Sequence, residues 1–205
     1  MEPITFDVER VIALNLRTPA GTKTVRVRFP SDDAWIRRQK HRKVIVKQLG
    51  RGRSQTDVLP CEDADLDLVQ SLRVEEKDAP EIDKFEAARV LEILATAEVE
   101  DVTDEAGGFA VTLRVLGGKA VHHLRMLSEE HRAQYRRSFA DVVDLPYGKQ
   151  QITVNIGAAA EIYKRIVVST EGYAGAIPII HQSAALKAAL DALDASFAED
   201  QVENF

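Results

Sequence analysis

Four carboxylates crowd the segment that follows Cys61, and carboxylate oxygens are the ligands that a hard cation such as Ca²⁺ takes. They are Glu62, Asp63, Asp65 and Asp67. Their spacing lacks the glycine and the terminal glutamate of a calcium-binding loop. We therefore predict that Glu62 and Asp63 lie in the first turn of a helix, where acidic side chains meet the positive end of the helix dipole, and that the other two face water. No metal site is predicted in this segment.

Histidine and cysteine, the other residues that could carry chemistry, are not spaced for a shared site. His122 and His123 are neighbours in a segment that reads as a strand, so they would point to opposite faces and could not easily bind one metal ion. Cys61 is the single cysteine of the chain, and the acidic residues after it are expected to raise its pKa and suppress a thiolate nucleophile. The sequence contains no Gly-x-Ser-x-Gly elbow. It predicts no catalytic residue, no cofactor and no metal ligand, and hence a protein that is not an enzyme.

The strongest feature is a basic segment, RRQKHRKVIVKQLGRGR, which holds eight Lys or Arg residues between positions 37 and 53. Ser31 and the two acids after it are typical of a helix start, and we expect the helix to cover residues 32–49 and to end at Gly50. At about 100° per residue, such a helix would be amphipathic. Its basic face would consist of Arg37, Lys40, Lys43 and Lys47. Its apolar face would be built on Trp35, Ile45, Val46 and Leu49.

Two further arginines follow in the sequence GRGR, which could present backbone amides to a phosphate or form the turn that leads into a strand. The candidate partner-binding residues are Arg37, Lys40, Lys43, Lys47, Arg51 and Arg53. Arg38 and Arg42 would intrude on the apolar side, covering the core with their stems while their charges reach water. Residues 1–60 carry a net charge of +7 and residues 61–109 a net charge of −12. The acidic segment could therefore neutralise the basic one, either within the molecule or across a homo-oligomer.

The elements that must position these residues occur twice. The segment from Ala13 aligns with the segment from Ala110, matching a turn and a serine cap, and LGRGRSQTDV aligns with LPYGKQQITV. Each copy indicates a β-hairpin, a helix, a strand and two further helices, with the second copy's first helix starting at Ser128 and ending at Pro146. We predict an α+β fold made by tandem duplication of a small β-hairpin plus helices unit, with domains at residues 1–100 and 101–205.

One glycine-containing segment, EGYAGAIPIIHQ at residues 171–182, has two interpretations. Its Tyr and Pro invite a binding-loop assignment, because such loops often carry function. A loop that fixes the start of the final Ala- and Leu-rich helix explains the same residues. The sequence leaves both open.

Composition sets the class of protein and its compartment. The chain has 205 residues, a net charge of −6, 45% hydrophobic residues and 29% charged residues, which excludes a disordered chain. No apolar run approaches the roughly 20 residues that span a bilayer, and the first residues do not resemble a secretion signal. A single cysteine suits a reducing compartment. We expect a cytoplasmic protein.

Two stretches resemble small proteins encoded among the tail genes of bacteriophages and prophages, including tail assembly chaperones. They are VRFPSDDAWIRRQKHRKVIVKQLGRGRSQTDV and GYAGAIPIIHQSAALKAALDAL, which together cover about a third of the chain. The resemblance implies a non-enzymatic cytoplasmic protein, virion-associated if it is phage-derived, that binds a structural protein during assembly. It carries no catalytic motif.

The function expected from the sequence is that of an interaction or assembly module. Its partner would be another structural or assembly protein, or a second copy of the chain as a homo-oligomer, and no membrane is involved. The alternative is a nucleic-acid-binding protein that uses the basic segment at 37–53. A protein with a pure phosphate footprint is usually basic overall, whereas this chain is acidic, which favours the protein partner.

Overall fold

The fold is described from a computed structural model of the chain. It describes residues 6–19, 21–50, 53–59, 61–74 and 79–202, with the backbone alone at 48–50, 53 and 196–202. The described residues form six α-helices and ten β-strands in three sheets, so the predicted α+β class is confirmed. No helix in this part of the chain is long and apolar enough to cross a membrane.

The first part of the chain forms two hairpins and three helices. Its elements in order are β1 (Ile12–Thr18), β2 (Gly21–Val27), α1 (Asp32–His41), β3 (Lys43–Gly50), β4 (Arg53–Leu59), α2 (Glu62–Leu72) and α3 (Lys84–Leu94). The second part repeats this plan with two added strands. Its elements are β5 (Ala97–Glu105), β6 (Gly108–Val115), β7 (Gly118–Arg125), α4 (Glu129–Ser138), β8 (Ala140–Leu145), β9 (Lys149–Val154), α5 (Ile156–Ile166), β10 (Val167–Glu171) and α6 (Ile179–Val202).

The elements repeat as predicted, but each copy has a second hairpin where a single strand was predicted. From β1 to α3 the chain runs hairpin, helix, hairpin, helix, helix, and from β6 to α6 the same order returns with β10 inserted before the last helix. The first helix of each copy begins at the predicted serine. The Ser31 hydroxyl accepts from the Ala34 N–H at 3.3 Å, and the Ser128 hydroxyl accepts from the His131 N–H at 3.2 Å. The same cap chemistry therefore starts the same helix in both copies.

The predicted helix over residues 32–49 is wrong beyond His41. Arg42 is extended, with φ −78° and ψ 113°, and β3 begins at the next residue. The cause is the run Val44, Ile45 and Val46, because β-branched side chains lose rotamer freedom in a helix and fit a pleated strand. The second copy shows the same error, since α4 ends at Ser138 and not at Pro146. Lys43 and Lys47 are consequently on a strand, and no single helix face carries the basic residues.

The chain forms two compact units. Unit A comprises the described residues of Val8–Ala95 and Ala140–Asn155. Its core lies between the β1–β2 hairpin and the helices α2 and α3. The side chains with at most 1% exposure there are Leu16, Val25, Val27, Val69, Ala87, Val90, Leu91 and Leu94. The alternation that predicted Val25 and Val27 on one side of β2 is confirmed, because both are buried while Arg26 is exposed.

Unit B comprises the described residues of Met1–Asp7, Thr96–Phe139 and Ile156–Phe205. Its sheet has the order β10-β7-β6-β5, and α5 and α6 pack on each other. Unit A also holds a four-stranded sheet of order β4-β3-β9-β8. The units therefore differ from the predicted domains 1–100 and 101–205, because β9 of the second copy pairs with β3 of the first.

Candidate interaction surface

The four-stranded sheet of unit A is built from one hairpin of each copy. β3 pairs with β4 in the first hairpin, and β8 pairs with β9 in the second. The two hairpins join where β3 lies antiparallel to β9, with Val44 opposite Ile152 and Lys47 opposite Lys149. The strands β4 and β8 are left as the two edges. Edge strands present unpaired backbone N–H and C=O groups that can pair with another chain.

None of the described side chains in these four strands is buried. The contrast with β6 of unit B is sharp, because Val111 and Leu113 on that strand are fully buried. Val142 and Val143 on β8 expose 53% and 54% of their surface. A sheet normally needs an apolar face packed on another layer for stability. The four-stranded sheet therefore presents apolar side chains that are still open to a partner.

A continuous aliphatic row crosses one face of the sheet. Val58 on β4 is opposite Val44 on β3, which is opposite Ile152 on β9, which is opposite Val142 on β8. Its outer members are the most exposed, at 48% for Val58 and 53% for Val142. Aliphatic side chains on directly opposite strand positions pack on one another. The aliphatic row thus forms a preassembled apolar strip across the whole width of the sheet.

The opposite face carries exposed lysines. Residues Lys43, Ile45 and Lys47 share this face because strand side chains alternate. Lys47 stands directly opposite Lys149, and both are exposed. Like charges opposite each other destabilise a strand pair. An acidic group from a partner would relieve this repulsion.

The structure divides the predicted basic residues between two elements. Arg37 and Lys40 are exposed on α1, while Lys43 and Lys47 are exposed on β3. Among the residues that the structure describes, none of these four forms an ion pair. Arg51 and the side chain of Arg53 lie outside the described part of the chain. The described cations are therefore available to an acidic partner, although not as one helical stripe.

Arg38 of the basic segment is neutralised inside the molecule by Asp65 of the acidic segment, one of the two arrangements that the sequence left open. The Arg38 guanidinium donates from Nε to Asp65 Oδ1 at 2.8 Å and from Nη2 to Oδ2 at 3.1 Å. It also lies over the Trp35 ring, 5.7 Å from the centroid. The predictions that the charge of Arg38 reaches water and that Asp65 faces water are wrong, because each side chain is nearly covered by this pairing. Glu62 and Asp63 do occupy the first turn of α2, as predicted.

Cys61 belongs to the same cluster and is held as a thiol. Its Sγ donates to Asp65 Oδ1 at 3.2 Å. Burial raises the pKa of the Cys61 thiol, and the neighbouring Asp65 carboxylate raises it further. The predicted direction of this pKa shift is confirmed, with burial as its larger cause. The geometry suits a structural hydrogen bond and not a nucleophile.

The adjacent histidines of β7 point in opposite directions, as predicted. His123 is paired with the Glu105 carboxylate at 3.0 Å, which raises the pKa of His123. His122 is fully buried and starts a chain of polar contacts in unit B. Its Nδ1 lies 2.7 Å from the Tyr163 hydroxyl, and its Nε2 lies 2.9 Å from the Tyr173 hydroxyl.

This series of buried polar contacts ends at a second histidine. The Tyr173 hydroxyl also lies 3.1 Å from Nδ1 of His181, which is fully buried. Burial lowers the pKa of His122 to about 4 and that of His181 to about 3. No pattern in the sequence indicates this cluster, because its members come from β7, α5, the 171–182 segment and the start of α6. Tyr173 and His181 place that segment in the packing of unit B, which supports its assignment as a loop that fixes the final helix.

No set of side chains in the described ranges is arranged to hold a metal ion by three His, Cys, Asp or Glu ligands. No family model, curated protein or solved structure matches the chain. The exposed four-stranded sheet, with its aliphatic row and its lysines, is therefore the candidate functional site.

Proposed function

We propose that this protein is a non-enzymatic interaction or assembly module that binds another protein through the four-stranded sheet of unit A. The context we propose is phage or prophage tail assembly, in line with the resemblance of its basic and C-terminal stretches. One observation carries the proposal: four paired strands bury none of their described side chains. A partner is what supplies the missing layer.

The two faces of the sheet define the chemistry of the partner. Completing the burial of Val58 and Val142, each about half exposed, would contribute about 0.5–1 kcal/mol per side chain. Lys43 and Lys47 would favour carboxylates on the partner and would speed its encounter at low salt. A structural or assembly protein with an apolar strip and acidic neighbours meets both demands.

We assign no catalytic residue and no cofactor to the chain. The histidines with the most perturbed pKa values, His122 and His181, are fully buried, and their hydrogen bonds go to the buried Tyr163 and the partly buried Tyr173. Groups without access to a substrate serve structure. The thiol of Cys61 is occupied by Asp65 in the same way.

Photo-crosslinking tests the proposed surface in cells that carry the gene in its native context. Benzoyl-phenylalanine replaces Val142 in one variant and Val168 in the control. Val168 is also an exposed strand valine, at 60%, but lies on β10 of the other sheet. We expect a discrete protein adduct at position 142 that survives nuclease treatment and is absent at position 168. Equal adducts at both positions, or none at 142, would refute the proposal.

Nucleic-acid binding is the second candidate, favoured by four exposed cations that form no ion pair within the described residues. It requires that Arg37, Lys40, Lys43 and Lys47 neutralise phosphates. Neutralising about four phosphates gives the logarithm of affinity a slope near −3.6 against the logarithm of salt concentration. Tight binding of mixed-sequence duplex with that slope, flattened when all four are replaced by Glu, would establish this candidate over the first. Absence of binding at low salt would eliminate it.

A further inference from the structure

The internal junction of the four-stranded sheet can be repeated between molecules. The hairpin β8–β9 is the second copy of the hairpin β3–β4, and the two hairpins have the same register after a shift of 96 residues: Lys47 opposite Gln55 corresponds to Val143 opposite Gln151. The sheet order β4-β3-β9-β8 therefore repeats one pattern twice. Its left edge, β4, is the counterpart of β9, and its right edge, β8, is the counterpart of β3.

We propose that β8 of one molecule pairs with β4 of a second copy of this chain, in the register that β3 and β9 already use. This inference rests on the proposed function and names the partner. Inside the chain, the antiparallel junction runs over four residue pairs. They are Val44 with Ile152, Ile45 with Gln151, Val46 with Gln150 and Lys47 with Lys149. The same register between molecules pairs Ala140 with Thr56, Asp141 with Gln55, Val142 with Ser54 and Val143 with Arg53.

Across the proposed junction, paired residues of the two copies lie on the same face of the sheet. Val142 belongs to the face of the aliphatic row, and its partner Ser54 lies on that face because it alternates with Thr56 and Val58. A slip by one residue would turn every side chain of β8 to the wrong face. The repeated register thus extends both faces without a break.

The proposed register brings an acidic residue of the β8 edge toward the lysine face of the next copy. The charged residues of β8 are both acidic, Asp141 and Asp144, and both are exposed. In the proposed register Asp141 lies opposite Gln55 of the next copy, and Gln55 lies opposite Lys47. The Asp141 carboxylate would then stand two strands, or about 10 Å, from the Lys47 backbone, within reach of a lysine side chain. Asp57 of β4, one pair further along on the same face, is also acidic, so Asp141 would share Lys47 with it.

The register also gives the assembly the stagger of a closed barrel. The aliphatic row runs from Val58 through Val44 and Ile152 to Val142, and the next copy continues it at Ser54. Each copy therefore adds four strands and shifts the row by four residues, from 58 to 54. A shear equal to the number of strands is that of closed barrels such as the eight-stranded barrel with shear 8, whose strands tilt by about 36°. Head-to-tail copies should form a ring and not a flat filament.

Cysteine pairs test the register on the purified full chain. In a Cys61→Ser background, a Val142→Cys chain is mixed with a Ser54→Cys chain, and an Asp141→Cys chain with a Gln55→Cys chain, then oxidised. Adjacent pairs alternate between hydrogen-bonded and non-hydrogen-bonded positions, so one of these two mixtures has the closer side chains. The control mixture, Val142→Cys with Val58→Cys, is four residues out of register. We expect disulfide-linked heterodimers in one or both test mixtures and at least tenfold fewer in the control.

A charge swap and native mass spectrometry complete the test. Lys47→Glu should weaken self-association about two- to five-fold, and adding Asp141→Lys should restore it. One closed oligomer is expected, and an open-ended ladder of sizes would overturn the ring. Equal linking in test and control mixtures, or no linking, would overturn the edge pairing. If the purified chains fail to link in register but position 142 still captures another protein in cells, only the present inference is refuted. If position 142 captures no protein either, the proposed function is refuted as well.

Discussion

The ion pair between Arg38 and Asp65 fixes α1 to α2 through side chains that are almost completely covered, with 10% and 5% of their surfaces exposed. Removing two charges from water is costly, and the bidentate geometry with the added Cys61 hydrogen bond offsets that cost. Loss of one partner would leave the other charged and buried. Removing one partner should therefore cost more stability than the intact pair contributes to the folded state.

Replacing Arg38 by Met should destabilise the protein by about 3–5 kcal/mol, because Asp65 would be left buried without its counter-ion. The measurement is the free energy of unfolding in urea at pH 7. Arg42→Met is the matched control, since Arg42 is exposed one turn further on, and it should change stability by about 0.5 kcal/mol or less. Equal effects of the two substitutions would show that the ion pair is energetically unimportant.

For single residues, the sequence predicted the direction of a pKa shift better than it predicted which side chains pair with each other. The raised pKa of Cys61 was predicted in direction from the acids beside it in sequence, although burial is the larger cause. The partner of Arg38 lies 27 residues away, and helix periodicity carries no information about such a contact. The same holds for His122, which meets Tyr163 and Tyr173 only after β7 and α5 have packed.

Among the elements, helix starts were predicted and helix ends were not. Ser31 and Ser128 act locally as N-caps, so their effect can be read from a few residues. The end of α1 depends on β3 pairing with β4 and with β9, and tertiary pairing of this kind overrides local propensity. The candidate surface was predicted in composition, as a basic segment, but its form as a sheet depended on those pairings.

The strands β6 and β7 approach closely at Gly108. A Cβ atom placed there would lie 1.8 Å from the backbone oxygen of Leu124, so the strands would have to separate. We expect Gly108→Ala to lower the free energy of unfolding by about 1–3 kcal/mol. Thermal unfolding provides the measurement, with Gly175→Ala as the control.

A methyl group at Gly175 meets no atom within 4 Å. The control should therefore be neutral or stabilising by up to about 1 kcal/mol, because alanine restricts the unfolded chain. If Gly108→Ala matched the control, the close approach of the two strands would not constrain this position.

For the whole molecule, the repetition of one plan could be predicted from the internal repeat, whereas the strands β3, β5, β8 and β10 and the distribution of elements between units could not. Residues 140–155 leave their own copy and complete the sheet of unit A. The choice of β9 as the neighbour of β3 is a long-range pairing, and hairpin sequences specify mainly their own turn and register.

The buried histidines make global stability depend on pH. The pKa values of His122 and His181 in the folded protein, about 4 and about 3, lie below the unfolded value near 6.5. The two neutral histidines cost no stability above pH 6.5. Stability is lost as pH falls from 6.5 toward 4, because the unfolded chain binds protons that the folded chain does not bind. His123 acts in the opposite direction, since its pKa is raised, but its exposure keeps that contribution small.

We therefore expect the free energy of unfolding to be lower at pH 5 than at pH 7 by about 3 kcal/mol, measured from urea titrations at constant ionic strength. Glu105→Gln, which removes the partner of His123, should retain this difference. His181→Asn should reduce it. A chain equally stable at pH 5 and pH 7 would contradict the burial of neutral histidines.

The facing lysines at the β3–β9 junction show what a covalent connection permits. Lys47 opposite Lys149 would weaken a bimolecular contact by some tenths of a kcal/mol, which lowers occupancy wherever the partners are dilute. The two hairpins belong to one chain, so their meeting is intramolecular and does not depend on the protein concentration. Their junction stays formed despite the repulsion. Joining the two copies has thereby released positions 47 and 149 from the requirement to attract one another.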